Sequence, residues 1–232
     1  MRKKNFLEII KQEQPDNLTK KEIQKYGIFN TSKGMVKFYK LKKKDELDEL
    51  DIDEGLRNFR KPQQQLEALK EISELPEGSV FVACHGKTII GYLAFHKPEF
   101  PRWAKAAESE LVELIELGGI EVSTAWRGEG IGKNLLRWTV DNFDFESNIM
   151  ISIETCYNWK SRDPSISIWE YREMIKNVLS HIGLKPKSTD DPEILEHPAN
   201  MLTARIGKNV NPKAREKFEK LLKVSRFEQE FH

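Results

Sequence analysis

Hydrophobic positions along this chain fall into runs with two clear periods. Residues 62–74 place Leu66, Leu69 and Ile72 at helical spacing, and Leu75-Pro76-Glu77-Gly78 stops the run. Ser79–Cys84 and Thr88–Phe95 are continuous apolar runs of strand length, joined across His85-Gly86-Lys87, which signals a hairpin. Gly91 inside the second run marks a bulge or a close neighbour. Met35–Leu41 alternates as an earlier strand, and Glu113–Ser123 and Ile149–Thr155 read as later ones. Ile131–Phe143, Ser167–His181 (ending at Gly183) and Pro212–Phe227 carry helical patterns. Pro98–Ser109 reads as a loop or short helix, Thr203–Ile206 as a late strand, and residues 5–26 as short helices around Pro15. This interleaving of strands and helices predicts an α/β (α+β) fold with a mixed sheet flanked by helices.

The join between the strand at 113–123 and the helix at 131 carries the strongest chemistry. Gly119–Leu136 reads Gly-Ile-Glu-Val-Ser-Thr-Ala-Trp-Arg-Gly-Glu-Gly-Ile-Gly-Lys-Asn-Leu-Leu. Arg127, Gly130 and Gly132 form Arg-x-x-Gly-x-Gly, with a further glycine at 128. A glycine-punctuated turn lets the backbone approach an anion closely, and the helix start beyond it offers N–H groups. Arg127 and Lys133 add positive charge at either end. A Walker loop is excluded because Asn134 stands where its hydroxyl belongs. The glycine spacing does not fit the dinucleotide fingerprint.

Composition narrows the class. The chain has 232 residues, 38 % hydrophobic and 32 % charged, with a formal net charge of +1. That is a globular balance, with no excess of basic charge to expect nucleic acid. No apolar run approaches membrane-spanning length. The start, Met-Arg-Lys-Lys-Asn-Phe-Leu-Glu, lacks the apolar core of a secretion signal. Two cysteines, Cys84 and Cys156, are too few for a disulfide framework and read as buried thiols, which fits a cytoplasmic location. No His, Cys or acidic cluster has metal-ligand spacing, so no metal is expected. Residues 1–44 are lysine-rich, and residues 45–54 carry seven acids and no base. Such blocks read as solvated helix faces or as a docking surface for a protein partner.

The cofactor-loop segment resembles the acetyl-CoA-binding motif of the GCN5-related N-acetyltransferases (GNAT). The resemblance implies a mostly antiparallel central sheet and acetyl-CoA as cosubstrate. Val122, Ser123, Arg127, Gly128, Glu129, Gly130, Ile131, Gly132 and Lys133 would hold the cosubstrate, with a backbone N–H near Val122 or Ser123 polarising the thioester carbonyl. Acetyl transfer to an amine also needs a base, because a free lysine is almost wholly protonated at neutral pH. Glu116 and Glu121 both lie on the key strand. Five residues apart, they fall on opposite faces of a regular strand, unless Gly118-Gly119 bulges. Glu116 falls where the histone-acetyltransferase branch carries its base and is the preferred candidate, with Glu121 second; either also reads as a salt-bridged strand carboxylate. The family's tyrosine acid has no counterpart, because Leu179 occupies its place and Tyr171 comes two turns early. Tyr157 is the remaining candidate acid.

Four further segments, Gln65–Gly78, Leu114–Val122, Trp169–Met174 and Thr189–Lys208, are similar to the acetoin-utilisation branch of the family. That resemblance runs from about Val36 to the C-terminus. It implies residues 1–34 as an extension and 35–232 as the acetyltransferase domain. It also implies a protein-lysine acetyltransferase whose substrate is acetyl-CoA synthetase. Asp190 and Asp191 would steer the lysine-bearing loop, or simply cap a turn. A small-molecule amine acetyltransferase on the same fold, and an acyl-CoA-binding regulator with little turnover, are the competing expectations.

Overall fold

The computed structural model describes residues 26–41, 44–159 and 164–224. The expected helices of residues 5–26 lie outside that set except for Tyr26, which begins a strand instead, and so do the last residues of the expected C-terminal helix. The described chain forms two compact units. One holds the described residues up to Ala94 together with Gly119–Asn142. The other holds Phe95–Gly118 and the described residues from Phe143 onward. Strands β5 (Thr88–His96) and β6 (Leu114–Val122) each contribute to both.

In the first unit the strand order is β1-β2-β4-β5-β6, with β3 (Asp51–Ile52) parallel to β5. β1 (Tyr26–Thr31) and β2 (Gly34–Leu41) form an antiparallel hairpin with Tyr26 opposite Tyr39. This hairpin crosses the boundary expected at residue 35. Gly34 supports the tight turn with φ 123°, a left-handed value that favours glycine. β4 (Ser79–His85) is buried on both faces, which explains its unbroken apolar run. Val80, Val82 and Cys84 pack with Leu66 and Leu69 of a helix at Pro62–Glu74. Phe81 faces the other way, edge-on to Trp138 of the helix Ile131–Asn142. In chain order the helices are α1 (Lys44–Asp48), α2 (Pro62–Glu74), α3 (Pro101–Ser109), α4 (Ile131–Asn142), α5 (Ile168–Ser180), α6 (Pro192–Leu195) and α7 (Pro212–Leu221). The acidic block 45–54 is not a solvated helix face alone: Leu47, Leu50 and Ile52 alternate inward and join the core.

In the second unit the order is β6-β7-β9-β8. β7 (Ile149–Glu154) pairs antiparallel with β9 (Met201–Ile206), which pairs antiparallel with β8 (Lys185–Lys187). The core gathers Leu114, Ile149, Ile151, Leu202 and Ala204 beneath Trp103 of α3 and Phe218 of α7. The Trp103 and Phe218 rings lie 5.8 Å apart. A capping box between Ser167 and Glu170 starts α5. Pro186, which has no N–H to give a ladder, sits in the short outer strand β8, where that loss costs least. Cys84 is buried as expected, but Cys156 is only half-buried and lies in a 3-10 turn rather than a strand. The chain thus has the mixed, mostly antiparallel sheet with flanking helices that its pattern predicts. No described helix is long and apolar enough to cross a membrane.

Candidate active site

The turn after β6 is built by local side-chain bonds. Ser123 is fully buried, and its hydroxyl donates to Asp53 Oδ1 at 2.6 Å. Ser123 Oγ also accepts from the Ala125 N–H at 3.3 Å, which starts the 3-10 turn Thr124–Trp126. The Trp126 ring lies 5.0 Å from that of His85. Gly128 and Gly130 then take φ values of 86° and 77°, where a side chain would be strained. A Cβ at Gly128 would meet nothing within 4 Å, so the bend is open to a ligand. α4 begins at Ile131, and the Asn134 backbone and side-chain nitrogens both donate to the Gly130 carbonyl, at 3.1 and 2.9 Å. Gly132 lets this helix start close against β6, since a Cβ there would stand 3.3 Å from the Val122 side chain. Arg127 and Lys133 are exposed on either side of the glycines. An open bend of left-handed glycines, flanked by cations and leading into a helix N-terminus, fits a diphosphate. Glu129 is the exception within it. Its carboxylate is turned to Ser32 of the β1–β2 turn, accepting from the Ser32 N–H at 3.0 Å and from its hydroxyl at 2.6 Å. Gly91 proves to be a close neighbour of this region, because a Cβ on it would lie 3.1 Å from the Glu121 carbonyl.

The oxyanion donor expected at Val122 or Ser123 is narrowed by hydrogen bonding. The Ser123 N–H already donates to the Ile90 carbonyl at 2.8 Å. N–H directions alternate along a strand, so Val122 N–H points to the opposite edge of β6. On that edge the parallel ladder with β7 runs only from Leu114↔Ile149 to Glu116↔Ile151. Val122 therefore lies well beyond the last ladder pair.

The two strand glutamates differ sharply. Glu121 is buried and satisfied: it accepts from the Asn58 N–H at 2.7 Å and from the Tyr92 hydroxyl at 2.9 Å. Burial pushes its carboxyl up. The Asn58 N–H, the Tyr92 hydroxyl, the Arg127 charge and the Arg57 N–H all pull it back. Glu116 is equally buried, at 4 % exposure, yet its Oε2 has no hydrogen-bond partner. Burial first, and then the neighbouring Glu99 and Glu154 carboxylates, push its carboxyl up to about 8, against one hydrogen bond from the Glu99 backbone. A carboxyl poised near neutral pH with an idle oxygen can take a proton; one held by several donors cannot readily do so.

Gly118 and Gly119 each stand where a side chain would crowd a β5 neighbour. A Cβ on Gly118 would run into the His96 ring, and one on Gly119 would touch Tyr92 and Ala94. Residues 92, 94 and 96 alternate onto one face of β5.

Glu154 and Glu99 are the site residues that sequence reasoning missed. Glu154 ends an otherwise apolar strand, accepts from Ser152 Oγ at 3.0 Å and bonds the Trp159 side chain. Burial holds its carboxyl above the usual range. A lone acid closing the run Ile-Met-Ile-Ser-Ile-Glu was the available signal. Tyr157 lies in the 3-10 turn Cys156–Asn158 and is half-exposed, at 52 %. Leu179, in the place of the family tyrosine, is fully buried, and Tyr171 packs on Trp159 at 5.3 Å. Asp190 and Asp191 are engaged internally. Arg102 pairs with Asp190 Oδ1 and lies 3.7 Å from Asp191 Oδ2, while Asp191 Oδ1 caps α6 through the Glu193 N–H at 3.0 Å. The capped-turn reading describes these contacts. No group of three or more metal-ligating side chains gathers among the described residues.

The raised Glu116 carboxyl has a consequence for stability. The folded state binds this proton more tightly than the unfolded chain, whose glutamate titrates near 4.3. Its stabilising contribution is therefore complete below that value and is lost as pH rises through about 8. Glu116→Gln removes the titration. Relative to wild type, the variant should gain about 4 kcal/mol between pH 5 and pH 9, measured by urea unfolding. Parallel stability profiles would contradict the buried, raised carboxyl.

Comparison with known proteins places this geometry. Residues 44–165 match the acetyltransferase (GNAT) family. The chain is 40 % identical over 184 residues to the acetoin utilization protein AcuA of Bacillus licheniformis, covering 79 % of this chain and 86 % of that one. It is 38 % identical over 178 residues to AcuA of Bacillus subtilis, covering 76 % and 83 %. A crystal structure of an acetoin utilization protein from Exiguobacterium sibiricum superposes with a TM-score of 0.82 at 36 % identity, covering 88 % of this chain and 96 % of that one. The chain belongs to the GNAT family of acetyltransferases and is an N-acetyltransferase.

Proposed function

We propose that this enzyme moves the acetyl group of acetyl-CoA onto a lysine side chain of a protein, that the protein is acetyl-CoA synthetase, and that the reaction belongs to acetoin utilisation in the cytoplasm. The observation that carries the amine chemistry is Glu116, buried, raised to about 8 and with one oxygen unpartnered. Acetyl-CoA supplies an activated thioester. The bend at Arg127–Lys133, including Gly128, Gly130, Ile131 and Gly132, binds its diphosphate, and the Val122 N–H stabilises the developing oxyanion. Glu116 accepts the proton of the incoming ammonium. Glu121 shapes the strand rather than taking the proton. A thiolate is a tolerable leaving group, with a pKa near 8.5, so Tyr157 serves as an acid only if it swings to the sulfur.

The relatives named for acetoin utilisation support the metabolic setting. The acceptor follows from the chemistry of the branch: acetylation removes a lysine charge on which an adenylate-forming site depends. The purified enzyme, incubated with radiolabelled acetyl-CoA and acetyl-CoA synthetase, should label the synthetase on one lysine and lower its activity. An unlabelled synthetase, with enzyme that binds acetyl-CoA normally, rejects this acceptor and leaves small amines or a binding-only role.

A further inference from the structure

The turn between β1 and β2 holds the bend after β6 at two points. Ser32 gives both its N–H and its hydroxyl to the two oxygens of Glu129. Lys33 Nζ donates to the Ala125 carbonyl and also stands 5.9 Å from the Trp126 ring centroid. The turn itself is stiffened, with the Thr31 hydroxyl donating to the Gly34 carbonyl at 2.8 Å and accepting from the Lys33 N–H at 3.1 Å. His85 completes the packing, its ring against Trp126 and its Nδ1 3.2 Å from the Met35 carbonyl.

The bend needs this help. Its entry is pinned by Ser123 and its exit by Asn134, but between the two glycines stands a carboxylate. A negative side chain in a bend that receives an anion would repel the ligand unless its direction is fixed. The Ser32 donors and the nearby Lys33 charge hold Glu129 below the usual carboxylate range, so it stays ionised and stays bonded at neutral pH.

We propose that the Ser32–Lys33 turn is a positioning clamp for cosubstrate binding: Ser32 draws the Glu129 carboxylate out of the anion-binding bend and, with Lys33 at Ala125, presets the bend's shape. Ser32, Lys33 and Glu129 are thus positioning residues that set affinity for acetyl-CoA without entering the chemical step. The clamp rests on the reading that this bend receives the diphosphate.

Ser32→Ala and Glu129→Ala separate the clamp from other roles. Each should raise the KM and the calorimetric Kd for acetyl-CoA about tenfold, with kcat at saturation within about twofold. The double variant should be no worse than Glu129→Ala alone, because Ser32→Ala removes the hydroxyl half of a contact that Glu129→Ala removes whole. Ser32→Thr, which keeps both donors, should restore wild-type affinity. Melting temperatures should match wild type, since the contact is exposed. Wild-type affinity in both single variants, or tighter binding by Glu129→Ala, would overturn the clamp. A fall in kcat with KM unchanged would also overturn it. Gly130→Glu distinguishes the levels: if it destroys binding while the clamp variants bind normally, only the clamp fails, and if it too binds normally, the diphosphate reading fails with it.

Discussion

Replacing Gly130 by glutamate should abolish acetyl-CoA binding, with affinity falling at least about a hundredfold. Three effects act in the same direction. Gly130 has φ 77°, so any side chain strains the bend. A Cβ there would stand 3.3 Å from the Asn134 amide, whose bond to the Gly130 carbonyl fixes the start of α4. The added carboxylate, unlike Glu129, has no Ser32 to turn it away, and it repels the diphosphate. Gly130→Ala carries the strain without the charge and should lose less. Isothermal calorimetry on folded variants measures both. Equal losses in the two would assign the effect to strain alone, and unchanged affinity would refute the anion site.

The second large effect falls on Glu116. Glu116→Gln keeps the shape and burial of the side chain but cannot accept a proton, so turnover should drop by about 10²–10⁴-fold at neutral pH. The pH dependence carries the mechanistic content. Wild-type rate should rise with pH until the carboxyl is ionised, near 8, and then level. The variant must wait for lysine to deprotonate unaided, near 10.4. The deficit is therefore flat below pH 8 and narrows about tenfold per unit above it. A deficit independent of pH up to 10 would remove Glu116 as the base. Glu121→Gln should act differently. It keeps one acceptor oxygen and turns the other into an NH2 donor, so one of the two bonds from Asn58 and Tyr92 is lost and the cost should appear in thermal stability as well as in rate.

Much of this was legible in the chain because local chemistry decided it. The helix read over 62–74 is the helix found, since Pro62 suits a first helical position and Leu75-Pro76 ends the run. The strand before the bend is one residue shorter at each end than its pattern suggested. Gly128 and Gly130 take the left-handed angles that glycine adopts at little cost, while Gly132 lies in the helix. What stayed hidden depended on partners. β1 and β8 become strands only through pairing, and Lys-Pro-Lys has no strand signal of its own. The commitment of the Ser123 N–H to the Ile90 carbonyl, which favours the proposed Val122 donor, is a tertiary bond that no spacing rule reveals. Whether Asp190 and Asp191 steer a substrate or cap a turn stays open in the sequence, and Arg102, some ninety residues earlier, is seen only in the fold to meet them. The preference for Glu116 over Glu121 comes from the family resemblance, whereas the bonds that satisfy Glu121 and leave Glu116 Oε2 without a partner are tertiary and carry no sequence signal.

The most direct test is a crystal structure of the enzyme with acetyl-CoA. The diphosphate oxygens should lie about 3 Å from main-chain nitrogens between Gly128 and Lys133, with the thioester carbonyl at the Val122 N–H and Glu116 facing the acetyl group. A diphosphate seated anywhere else, with the bend closed on its own side chains, would contradict the account.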